Sequence, residues 1–115
     1  MQGLRDLRVI DFSNRIAGAY ATKLLADAWA EVIKVEPPAG DALRRWSASG
    51  QDLQGRDGAL FQFLNTSKKS VVGAPGDPAI DALVAGADLV VETFEPGVGE
   101  RLDLARRHPG LVVLS

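Results

Sequence analysis

The chain has 115 residues, 46% apolar and 24% charged, a balance that suits one folded domain and excludes a disordered or fibrous protein. Its 15 acids and 13 bases give a net charge of -2, so no basic excess marks a nucleic-acid binder, and any anion binding must come from local clusters. With no cysteine and one histidine, a disulfide framework, a thiolate zinc site and most imidazole metal sites are excluded. The amino terminus has no apolar core of signal-peptide length, and no run approaches the ~20 apolar residues of a membrane span. The expectation is a cytoplasmic protein with no membrane partner.

Arg8-Val9-Ile10-Asp11-Phe12 is a β-branched run that predicts a strand over 7–12, and Ser13-Asn14 breaks it with residues that favour turns and helix N-caps. Ala21, Leu24, Leu25 and Ala28 recur at i, i+3, i+4 and i+7, which predicts a helix over about 19–28 with one apolar stripe. A second strand over 30–36 stops at Pro37-Pro38-Ala39-Gly40, where the prolines lack an amide donor and the glycine permits a turn. Residues 41–58 show no period and predict a surface loop with a short helical turn. A loop of that length in a compact domain usually covers a site or meets another part.

A short helix is expected over 58–64 and a short strand over 70–72. Asp77-Pro78 then supplies an N-cap and a proline at the first helical position, Ile80, Leu83, Val84 and Ala87 repeat at helical spacing, and Gly86 sits where a C-terminal glycine belongs. A fourth strand over 87–92, helical segments within 93–97 and 102–107, and a last strand over 111–115 complete the pattern. Strands alternating with helices predict an α/β, Rossmann-like, mostly parallel sheet flanked by helices on both faces. Because the pattern stops on a strand, the chain reads as the opening portion of a larger domain. The loops after Phe12, Glu36, Val72 and Glu92 should share the carboxyl edge of the sheet, where such folds bind ligands.

The first of these loops, Asn14-Arg15-Ile16-Ala17-Gly18-Ala19, opens a helix, and its amides could cradle a phosphate; a helix start packed closely on the sheet fits as well. Gly18 stands without the other glycines of the Gly-x-Gly-x-x-Gly fingerprint, which argues against a dinucleotide site of the usual type. Glu36 occupies the strand end where dinucleotide enzymes hold a ribose, but a strand-end carboxylate is more often solvated, and Asp11 and Glu92 occupy equivalent ends. Arg44-Arg45, Lys68-Lys69 and Arg101 are candidate anion contacts, set against a plain solvated surface. Arg106-Arg107-His108 reads as charge complementing a helix end, and Trp29 and Trp46 as packing residues.

Leu7 to Ser13, Ala17-Gly18 with Ala21-Thr22, Leu25-Ala26-Asp27 and the run from Ala30 to Pro38 resemble, in order, the amino terminus of family III CoA-transferases. That group includes formyl-CoA and carnitine CoA-transferases and the related α-methylacyl-CoA racemases. Leu64-Asn65, Ser67-Lys68-Lys69-Ser70, the run from Ala87 to Glu92, Phe94 with Pro96-Gly97, and Glu100-Arg101-Leu102 continue the match in register over nearly the whole chain.

The resemblance implies a site for coenzyme A, as CoA or acyl-CoA, with no metal. It maps the CoA contacts after the first strand to Ile16 and Ala17 with Arg15 beside them, the adenine border to Gly73 and Ala74, the segment after the fourth strand to Thr93, Phe94 and Glu95, and a following arginine to Arg101. It implies a homodimer for the full-length protein. It also implies a catalytic aspartate that forms a mixed anhydride with the acyl group, downstream of the position matching Ser115, so no residue here is assigned as catalytic. Departures from the pattern are Pro37 where some members carry a basic residue, Thr93 for asparagine, Ala19 for proline, Trp29 for glycine, and a shortened stretch over 73–78. The other readings are a non-catalytic CoA or nucleotide-binding module and a racemase fragment.

Overall fold

The structure, a computed structural model, describes residues 3–115 apart from the side chains of residues 100 and 101. Its strands are β1 (Arg8–Phe12), β2 (Glu31–Glu36), β3 (Lys69–Val72), β4 (Leu89–Glu92) and β5 (Val112–Leu114). Its α-helices are α1 (Ile16–Asp27), α2 (Ala59–Asn65), α3 (Pro78–Ala85), α4 (Val98–Leu102) and α5 (Leu104–Arg107), with a 3-10 turn at Ala42–Arg45.

All neighbouring strands run parallel in the order β3-β2-β1-β4-β5. The chain therefore steps outward from β1 to β3, then returns to the far side of β1, and the order reverses between β1 and β4. In open α/β sheets that reversal parts the loops and leaves a crevice at the carboxyl edge.

Alternation along the strands divides the core. Ile10, Phe12, Ile33, Val35 and Val90 face one side and meet Ile80 and Val84 of α3 and Leu104 of α5. Val9, Val32 and Val91 face the other and meet Ala26 of α1. Each such side chain contributes about 1.5–3 kcal/mol when fully buried. Helix α2 lies against α1 and the 3-10 turn, on the α1 side of the sheet.

Helix α1 begins earlier than its apolar period indicated, because Ile16 and Ala17 are exposed in the first turn and add nothing to the buried stripe. Gly18 permits this start: a Cβ there would lie 2.3 Å from the Ser13 Cβ, so no other residue lets the helix pack so closely on the turn after β1. Residues 93–97 are not helical as expected. Pro96 and a left-handed Gly97 (φ 88°) precede α4, and a left-handed Asp103 (φ 50°) separates α4 from α5. Neither tryptophan is a core residue; Trp29 is 65% exposed at φ 79°, and Trp46 is also exposed.

Candidate functional site

The loops after β1, β2, β3 and β4 meet at the carboxyl edge as the parallel order requires. A cleft of about 370 Å³ lies there, walled by Ser13 and Asn14 after β1, Pro37 and Gly40 to Ala42 after β2, and Gly73 to Pro75 after β3, with Phe12 and Phe94 also lining it. The Phe12 and Phe94 rings pack with centroids 5.4 Å apart. On the other side of Phe94, a groove of about 330 Å³ is bounded by Arg15, Glu92, Thr93, Glu95 and Ser115. Phe94 lines both, so cleft and groove adjoin at this residue near the reversal point.

Beneath this surface lies a buried polar network. Asp11, 0% exposed, accepts from the Ser13 amide at 2.8 Å and the Ser13 hydroxyl at 2.5 Å on one oxygen, and on the other from Thr22 Oγ1 at 2.7 Å and Lys68 Nζ at 3.2 Å. Lys68 Nζ also donates to Asn65 Oδ1 at 2.8 Å and to the Ala19 carbonyl at 3.1 Å, which ties α2 to α1. Burial pushes the Lys68 ammonium below the ordinary lysine range; Asp11 and Asp41 oppose that shift, and the nearby Lys34 adds to it.

Glu36, 4% exposed, holds the loop over 41–58 onto the sheet. Its oxygens accept from Arg44 Nε at 3.0 Å, Arg44 Nη2 at 2.9 Å, Ser70 Oγ at 3.1 Å and the Asp41 amide at 3.4 Å. Arg44 also donates to Asp57 Oδ2 at 2.8 Å, and its guanidinium carbon sits 4.2 Å from the centroid of the Phe61 ring. Burial raises the Glu36 carboxyl, but Arg44, Ser70 and the Asp41 amide outweigh burial and hold it below the ordinary glutamate range.

These contacts correct several expectations. Asp11, Glu36 and Glu92 are buried rather than solvated, because a strand inside a parallel sheet has no water-facing side. Arg44 and Lys68 are not anion contacts at the surface; each is committed to a carboxylate of the network, whereas Lys69 is exposed. Asp77 sits at the N-cap of α3 as its spacing indicated, but its carboxylate turns back to accept from the Ala74 amide at 2.9 Å and orders the segment after β3.

Of the residues singled out from the sequence, Gly73, Ala74 and Phe94 line the cleft, and Arg15, Thr93, Phe94 and Glu95 line the groove. Ile16 and Ala17 line neither and lie exposed in the first turn of α1. Arg15 is the N-cap of that helix and its side chain makes no capping bond, so the first-turn amides face the edge without a side-chain partner. A Cβ on Gly73 would lie 2.7 Å from Ile80 Cγ1, so the glycine lets the segment after β3 settle on α3. The Arg101 side chain lies outside the described residues. Asn14, in the loop read as a phosphate cradle, also walls the cleft, as do Ser13, Gly40 and Asp41, which the sequence marked as turn and loop residues but not as ligand contacts; their position after β1 and β2 was the available signal.

A sequence profile of CoA-transferase family III matches residues 4–115. The chain belongs to this family.

This family III chain is 39% identical to the succinyl-CoA:mesaconate CoA-transferase of Haloarcula hispanica, in an alignment covering 100% of the chain and 32% of that protein. It is 32% identical to the formyl-CoA:oxalate CoA-transferase of Afipia carboxidovorans, covering 99% of the chain and 28% of that protein. A CAIB/BAIF family protein from Brucella suis has the same fold, with a TM-score of 0.81 at 32% identity over 96% of this chain and 32% of that one. The chain spans about a third of the length of the relatives it matches. Among the described residues, no helix is long and apolar enough to cross a membrane.

Proposed function

We propose that this chain supplies the CoA-binding portion of a family III CoA-transferase, an enzyme that moves CoA between carboxylic acids. The observation that carries the reading is the placement of Gly73, Ala74 and Phe94 in a cleft, and of Arg15, Thr93, Phe94 and Glu95 in the groove that adjoins it at Phe94, at the strand-order reversal of a chain from this family. The adenine end of CoA fits the less polar cleft beside Gly73 and Ala74. The first-turn amides of α1, at Ile16 and Ala17, with Arg15, favour the phosphates, and the pantetheine arm continues past Phe94 towards Thr93 and Glu95. Arg101 is assigned to the same ligand by its place in the family pattern.

The strand-end acids take no part in covalent chemistry on this reading. A nucleophilic carboxylate must reach an acyl carbonyl, and Asp11 has both oxygens engaged and no exposure. Glu36 is held by Arg44, and Glu92 accepts from the Phe94 amide at 2.6 Å and from the Ser115 hydroxyl. The family resemblance puts the aspartate that carries the mixed anhydride outside this stretch, and the 115-residue chain alone is expected to show no turnover. The relatives described above are named transferases, which favours group transfer over racemisation. Cytoplasmic location and a homodimeric full-length enzyme complete the proposal.

Calorimetric titration of the purified chain with CoA, with NADH as control, tests the reading. Binding of CoA but not NADH is expected. Absence of CoA binding by a chain shown to be folded would overturn the assignment of a CoA site to these residues.

A further inference from the structure

Lys34 lies in the middle of β2, facing the α1 side, and is 2% exposed. A charged residue there runs against the apolar character of parallel strands. Its Nζ donates to the Ser13 carbonyl at 3.2 Å and lies 2.8 Å from Asp41 Oδ2. Asp41 is itself buried; Oδ1 accepts from the Leu43 amide at 2.8 Å, while Oδ2 receives no directed hydrogen bond. The Lys34 contact is thus a close ion pair without good donor geometry.

A buried pair of that kind is a poor source of stability, since desolvation of both charges offsets most of their attraction and apolar replacements often do as well. What the pair does achieve is a connection. Ser13 belongs to the loop after β1 and Asp41 to the loop after β2, and both wall the cleft. The Lys34 ammonium touches both loops, one through a carbonyl and the other through a carboxylate.

We propose that Lys34 is a positioning residue: it sets the separation of the two lips, 13–14 and 41–42, and so shapes the cleft for the nucleotide end of the ligand. The ligand's being CoA rests on the function proposed above; the strut itself does not. Lys34→Met alone should lower the thermal midpoint, because it leaves Asp41 buried and unpaired. The double variant Lys34→Met with Asp41→Asn removes both charges, keeps an acceptor for the Leu43 amide, and should recover most of the midpoint.

Recovery of the fold should not recover the lips. In the double variant, amide hydrogen exchange at Asn14 and Leu43 is expected to quicken about tenfold while the core strands stay protected, and CoA affinity to fall about tenfold. Unchanged exchange at both amides, or CoA affinity that returns together with stability, would overturn the proposal and leave the pair merely structural. Equal destabilisation by the single and double variants would also overturn it, since the two charges would then not act as a pair. If the unmodified chain binds no CoA, the CoA reading falls, and the exchange experiment alone decides the strut.

Discussion

Asn14 and Thr93 close on each other across the point where the strand order reverses: the Asn14 amide donates to Thr93 Oγ1 at 3.1 Å, and Thr93 Oγ1 donates to Asn14 Oδ1 at 2.8 Å. One hydroxyl acts as both acceptor and donor, joining the loop after β1 to the loop after β4.

Thr93→Val keeps the shape and removes both bonds. They are exposed, so the lower end of the usual hydrogen-bond contribution applies, about 1 kcal/mol in total, or roughly 4–8 °C in thermal midpoint for a domain near this size. The CoA site should weaken about fivefold as the loops part. Thr93→Ser should keep both properties near the starting values; thermal unfolding and calorimetry read the two variants, and a valine variant indistinguishable from the serine one would show that the hydroxyl fastens nothing.

Trp29 occupies a left-handed backbone position, φ 79°, which costs a residue with a Cβ about 1 kcal/mol relative to glycine. The indole is 65% exposed, and its main compensation is Arg5, whose guanidinium carbon lies 5.1 Å from the ring centroid. An exposed cation-π contact returns about 0.5–1 kcal/mol. Trp29→Gly should therefore hold the thermal midpoint or raise it by at most a few degrees, whereas Trp29→Ala, which loses the ring and keeps the strain, should lower it. A fall in both variants would mean that the ring packs more productively than its exposure indicates.

The β-branched runs and helical spacings made the parallel sheet and its carboxyl-edge loops legible in the sequence, since each strand and crossover carries its own periodicity. Gly73, Ala74 and Phe94 fell on the cleft because the parallel order sends the loop after every strand to one edge. The roles of Asp11, Lys34, Glu36, Arg44 and Lys68 were not legible, because ion pairing across 7 to 57 positions of sequence leaves no local pattern. A signal was present all the same. In the run Glu31 to Glu36, charged residues sit in a strand whose neighbours are apolar on both faces, so they had to find partners rather than water. The end of the helical period at 93–97 was hidden by Gly97, which takes a left-handed conformation that the residue permits but does not announce.

Glu36 links this buried chemistry to pH. Its carboxyl, depressed in the folded chain, adds stability that is fully present above the ordinary glutamate value of about 4.5 and is lost as pH falls through the folded value. Glu36→Gln should cost about 2 kcal/mol at neutral pH, less than a fully buried pair because Arg44 keeps Asp57 and some solvent contact. Denaturant titrations of both chains between neutral and acid pH should give curves whose separation is constant above the ordinary glutamate value and closes as pH falls from there through the depressed folded one. A gap that stays constant with pH would assign the cost to shape rather than charge.

The absence of charge at Pro37 leaves the rim after β2 to Arg45. Its Nη1 donates to the Ala39 carbonyl at 3.2 Å and stands 4.0 Å from where a Cβ on Gly40 would lie, at the wall of the cleft. Among the described residues Arg45 pairs with no carboxylate, while its neighbour Arg44 is held by Glu36 and Asp57. An exposed guanidinium beside the cleft proposed for the nucleotide end of CoA suits a phosphate, which it can grip with paired donors. Arg45→Ala is expected to weaken CoA about tenfold and to leave dephospho-CoA, which lacks the ribose 3′-phosphate, unchanged. Equal weakening of both ligands would move Arg45 from that phosphate to the pyrophosphate or adenine, and no weakening of either would take it out of the site. The comparison needs no acyl donor, acceptor or catalytic aspartate, so it reads the nucleotide end of the site in the chain as it stands.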